Sequence, residues 1–143
     1  MSSRSRRGDR GAAATELALL VPVVALLLSV VVGGARTWLA RSAVEQAAGS
    51  AARAAALERG PGAAEKAARS AFRQNLRQRG TDCHNERLSI DTAGFAVSTG
   101  RPAAVTVRVE CRVSLSDVMV PGLPGTLRVQ ATARAPLDTY RER

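Results

Sequence analysis

Aromatic residues are nearly absent: Trp38, Phe72, Phe95 and Tyr140 are all there are, 3% of the 143 residues. A core with so few rings must be built from small aliphatic side chains, each burying less area. Rings are also the usual stacking platform for single-stranded nucleic acid, and here none stand in a row. Lys66 is the only lysine and His84 the only histidine, so the formal charge of +9 is almost wholly arginine. The arginines are spread through segments of every kind rather than gathered on one element beside aromatics, and no nucleic-acid partner is expected. The sequence also lacks a phosphate-binding P-loop, a dinucleotide fingerprint and a G-x-S-x-G elbow. In TDCHNE, a metal could be held only by His84 recruiting Asp82, Cys83 and Glu86, and no ligand spacing supports that. Adjacency of Cys83 and His84 does not make them nucleophile and base either. No catalytic residue, metal or cofactor is expected, and the chain is not read as an enzyme.

What is present is a long apolar run. Residues 17–35, LALLVPVVALLLSVVVGGA, carry no charge. As a helix they extend about 28 Å, close to the thickness of the bilayer's hydrocarbon. The rest of the chain, about 100 residues, is too little to wrap a helix that is apolar all round, so a membrane helix is expected. Arg4, Arg6, Arg7 and Arg10 precede the run, while Arg36 and Arg41 follow it. That bias puts the N-terminus in the cytoplasm and the rest outside. Gly33 and Ala35 could imitate a signal-peptide cleavage site, but the apolar run is longer than a secretory signal needs. Trp38 and Leu39 then fall where the span meets the outer interface, as anchors do.

The remainder reads as a small α+β domain. Helical character continues from residue 36 to 59, with a face of small residues at Ala43, Ala47, Ser50, Ala51 and Ala54. Such a face permits close helix packing, or it reflects nothing more than alanine's helix propensity. Gly60-Pro61-Gly62 breaks the helix, and a second is expected over residues 63–79, ending at Gly80. Ala64, Ala68, Phe72 and Leu76 form its apolar stripe, and Arg69, Arg73, Arg77 and Arg79 its wet side. This helix is expected to lie on a sheet.

The sheet's clearest strand is AVTVRVECRVSL, where Val105, Val107, Val109, Cys111, Val113 and Leu115 share one face. Thr106, Arg108, Glu110, Arg112 and Ser114 share the other. Weaker strands are expected around residues 87–97 and 126–134, separated from the first by STGRP and VPGLPG. Together they suggest a three-stranded antiparallel meander covered by one helix. Cys111 is on the buried face and Cys83 follows the second helix. In an exported domain the two can form a disulfide; otherwise they are buried thiols. Tyr140 is available to pack the last strand. The segments are thus 1–11, a basic cytoplasmic leader; 12–35, the membrane helix; 36–80, an exported helical region; and 81–143, the sheet domain.

One acid stands at the edge of the span. In GDRGAAATELALLVP a basic leader is followed by Gly11, four small residues, Glu16 and the apolar helix. This arrangement resembles the processing site of type IV pilin-like proteins. The longer run from Ala14 through Ala56 resembles the signature of the TadE-like family, pseudopilins or minor pilins of the tight-adherence (Flp) pilus apparatus. Pro22 matches the family's proline within the span, whereas Leu17 stands where the family usually places an aromatic. The ending APLDTYRER is similar to that of actinobacterial members. The resemblance implies cleavage between Gly11 and Ala12 by a prepilin peptidase. It also implies a structural role in a pilus or related secretion filament, with other pilin subunits and the assembly machinery as partners. Glu16 would then neutralise the new amine of Ala12 on a neighbouring subunit, because an unpaired carboxylate in an apolar setting is costly. Its alternative role is local, favouring the helix N-terminus from headgroup water behind Thr15 as cap. The alternative for the whole chain is a single-pass anchored protein whose exported domain binds a partner without polymerising.

Overall fold

The computed structural model describes residues 8–114 and 125–140, with side chains from Glu16 onward. The first helix, α1, is Gly8–Ala56, 49 residues without interruption. At the α-helical rise it is about 73 Å long. Pro22 lies inside it, where the ring removes the N–H that would reach the Ala18 carbonyl. The hydroxyls within and beyond the apolar stretch are satisfied by the helix itself. Ser29 Oγ donates to the Ala25 carbonyl at 2.8 Å, and Thr37 Oγ1 donates to the Gly33 carbonyl at 2.9 Å. No polar side chain there needs water or a partner.

The second helix, α2, is Pro61–Gln78, so it starts two residues before the expected 63. Pro61 causes this: its fixed φ suits the first helical position, and the Gly60 carbonyl accepts the Ala64 N–H at 3.0 Å. At the far end Gly80 takes φ +61°, and its N–H reaches the Arg77 carbonyl at 3.1 Å. The Thr81 N–H reaches the Leu76 carbonyl at 3.1 Å, which completes a Schellman cap.

Three antiparallel strands follow in the order β1-β2-β3: β1 Cys83–Asp91, β2 Ala103–Ser114 and β3 Thr126–Leu137. This is the expected meander, α+β with the apolar helix at the N-terminal end. Two boundaries differ from the reading of the sequence. The first strand begins at Cys83 and stops at Asp91, not 87–97. The Asp91 carboxylate accepts the Ala93 N–H at 3.1 Å and turns the chain into a short 3-10 helix, Ala93–Ala96. There Gly94 backs onto the Ala104 carbonyl so closely that a Cβ would collide with it. The third strand runs on to Leu137, and Pro136 is tolerated because β3 is an edge strand. Leu115 and most of the VPGLPG turn lie outside the described residues, as do leader residues 1–7.

The inner faces of the strands meet two helices rather than one. Ala40, Val44, Ala47, Ala48, Ala51, Ala52 and Ala55 form a buried stripe along the second half of α1. That half of α1 packs on β2 and β3, while α2 packs mainly on α1 and reaches β1. The small face thus serves a helix pair and a helix–sheet contact within the chain, since alanine lets backbones approach closely. Phe72, fully buried, is the largest side chain in the core. Val105, Val107 and Cys111 meet the helices from β2. Tyr140 does not pack the last strand: it is 92% exposed, three residues beyond Leu137.

Candidate assembly segment and the head it carries

Gly11, Ala12, Glu16 and Pro22 all lie on the first turns of α1. The alanines that follow Gly11 favour helix, and the Gly11–Ala12 peptide bond lies within α1. The Glu16 side chain is exposed, and among the described residues it makes no ion pair. Directly beyond it the helix is apolar on every side. Leu19, Leu20 and Val21, successive residues about 100° apart round the helix, are each more than half exposed. Among the described residues this is the one helix long and apolar enough to cross a membrane, with a mean hydropathy of 2.7 in its best window. Trp38 and Leu39 are exposed at its upper end, so neither is recruited into the head's core.

The head begins at Ala40, the next residue along the helix. A polar clamp joins its two helices: Asn75 Nδ2 donates to Ser50 Oγ at 3.2 Å, and Arg79 donates to Gln46 Oε1. Gln46 Nε2 in turn donates to Ser42 Oγ at 2.8 Å. A partly exposed ion pair, Arg73–Glu86 at 3.5 Å, links α2 to β1. Exposure keeps its contribution to about 0–1 kcal/mol.

Cys83 and Cys111 are bonded to each other, their Cα atoms 5.6 Å apart. The bond crosses diagonally between β1 and β2, because Cys83 stands opposite Val113. It sits against an irregularity: between His84 and Arg87 the register shifts, and Asn85 takes φ 54°. Asn tolerates that left-handed conformation, and the extra residue is a bulge in β1. The disulfide therefore pins the end of the sheet where the ladder is weakest. It lies far from Glu16: the helix from Glu16 to the start of the head alone spans about 36 Å. The structure brings the two cysteines together and leaves Gly11, Ala12, Glu16 and Pro22 together on a separate, remote segment.

Asp82, Cys83, His84 and Glu86 do not assemble a metal site; among the described residues no group of three potential ligands does. The helix clamp, the Asn85 bulge and the close approach at Gly94 were not foreseen. Only Asn85 had a visible sign, a turn-prone residue interrupting alternation.

Among known proteins, no curated protein and no solved structure matches the chain. A family model does match: that of TadE-like proteins, over residues 11–53. The matched segment begins at Gly11, contains Glu16 and Pro22, and ends one turn before α1 does. The family is one of pilus structural and assembly components, not enzymes. Over that N-terminal segment the chain is similar to TadE-like proteins, and the same segment contains the candidate membrane anchor.

Proposed function

We propose that the chain is a minor pilin or pseudopilin, a subunit that is stored in the bilayer by α1 and then packs by the same helix into a pilus or related secretion filament. The observation that carries this reading is the division of α1. Among the described side chains, residues 17–32 are uncharged and lie outside the core all round the helix, while from Ala40 onward one stripe of the helix is buried by its own head. A helix exposed in that way needs lipid or neighbouring helices around it. The head would lie outside the cell, with the N-terminus cytoplasmic. A prepilin peptidase would cut between Gly11 and Ala12. Glu16, unpaired among the described residues at the edge of the span, would then receive the Ala12 amine of a neighbouring subunit.

N-terminal sequencing of the membrane-extracted protein from cells with the peptidase tests this. A chain starting at Ala12, and retention of the leader by Gly11→Val, support it. A leader retained in the native chain, or a start beyond Ala35, overturns it in favour of an anchored protein that binds a partner without polymerising. Glu16→Ala should insert normally but be depleted from sheared filaments; equal incorporation would rule out the amine pairing.

A further inference from the structure

The solvent face of the sheet gathers five arginines: Arg87 on β1, Arg108 and Arg112 on β2, and Arg128 and Arg134 on β3, all exposed. They fall there by ladder parity, opposite in direction to Val105, Val107, Val109, Cys111 and Val113. Against them stand Asp91, whose carboxylate accepts the Ala93 N–H, and Glu110, which pairs with Arg128 at 3.0 Å. Arg112 and Arg128 are directly opposite each other across β2 and β3. Like charges so placed destabilise a sheet. Arg87, Arg108, Arg112 and Arg134 have no acidic partner among the described residues.

Cross-strand neighbours are about 4.8 Å apart, and alternate residues on one strand about 6.7 Å apart. The guanidinium groups therefore form a grid with the repeat of side chains on one side of an extended polypeptide. Guanidinium binds carboxylate through paired hydrogen bonds, which favours such a match. An open depression of about 330 Å³, lined in part by Arg87, Arg108, Glu110, Gln130 and Thr132, runs across the same face. We infer that this face docks an acidic polypeptide segment of another protein.

Other occupants fit less well. A second copy of this chain carries a charge of +9 and would be repelled. The face has no aromatic on which bases could stack. Glu110 at its centre opposes an uninterrupted run of phosphates, whereas a polypeptide can place a donor there. A helix lying on a sheet runs parallel to the sheet plane. The outer face thus looks away from α1 at right angles to the helix axis, not along it toward a bilayer that α1 would cross.

The full-length chain in zwitterionic nanodiscs can be titrated with a fluorescent peptide of alternating Glu and Thr, read by anisotropy at physiological ionic strength. Binding should fall about tenfold or more in the double variant Arg108→Gln with Arg112→Gln, which removes two charge-assisted contacts. The control double variant Arg69→Gln with Arg77→Gln removes the same charge from the exposed side of α2 and should bind like the native chain. Glu110→Gln should tighten binding. An unchanged melting curve for the Arg108/Arg112 variant ensures that loss of binding is not loss of fold. No binding, equal losses in both double variants, or tighter binding of polyphosphate or of anionic vesicles overturns the inference. The measurement uses only the head's outer face, so its failure leaves the reading of Gly11 and Glu16 untouched.

Discussion

Asn75 of α2 donates a hydrogen bond to Ser50 of α1 across 3.2 Å, at the seam where two alanine-lined helices meet. Alanine permits the close approach but has no shape to fix sliding or rotation. Directional bonds supply that. Asn75→Ala is expected to cost about 0.5–1.5 kcal/mol, and Asn75→Ala with Arg79→Ala more, because Arg79 holds Gln46 on the same seam. Thermal unfolding of the detergent-solubilised chain measures both.

Phe72 is the one fully buried ring, in a core otherwise made of alanine, valine, leucine and Cys111, with Phe95 packed against it. Phe72→Ala should cost about 3–5 kcal/mol, and Phe72→Leu distinctly less. Since small domains rest on about 5–15 kcal/mol in total, the alanine variant should melt roughly 12–40 °C below the native chain.

The Cys83–Cys111 bond closes a loop with a sequence separation of 28. Loop entropy of that size corresponds to about 3–4 kcal/mol. The double variant Cys83→Ser with Cys111→Ser should be less stable by that order in denaturant titrations. Mass spectrometry after thiol labelling should find no reactive thiol in the native chain until reductant is added.

Two glycines should respond in opposite directions. At Gly94 an added methyl meets the Ala104 backbone, which cannot swing aside. Gly94→Ala is therefore expected to destabilise by about 1–3 kcal/mol. Gly62 lies in the first turn of α2 with open space around it. Gly62→Ala should stabilise by up to about 1 kcal/mol. Melting curves of the two variants shifting the same way would contradict this.

The legible parts of this fold are those with a strong period. Alternation through Val105 to Val113 marked β2, and the spacing of Ala64, Ala68, Phe72 and Leu76 marked the buried side of α2. The start of β1 was hidden because the bulge at Asn85 changes parity. Cys83 and Leu88 both turn inward, though an unbroken strand would put them on opposite faces. The sheet-covering role of α1 was hidden for another reason. In a stretch where nine of residues 40–56 are alanine, no face stands out by hydrophobicity, and only the partners select one. The arginine face needed the register of three strands, since Arg87, Arg112 and Arg128 are remote in sequence. At the assembly segment the balance reverses. Gly11, Glu16 and Pro22 carry the resemblance to pilin-like proteins by their order alone, their roles in processing and assembly being proposals, and the geometry adds that Glu16 is exposed and unpaired among the described residues.

The continuity of α1 has a mechanical consequence. A flexible tether would let the head tumble and would absorb a pull as slack. Here the apolar segment and the stripe that the sheet grips are one rod, with no glycine-proline joint before Gly60. A displacement of the apolar end by one helical turn, about 5.4 Å, must carry the head the same distance. A twist of the rod must likewise sweep the arginine face through the same angle. Whatever moves this helix also aims what the head displays.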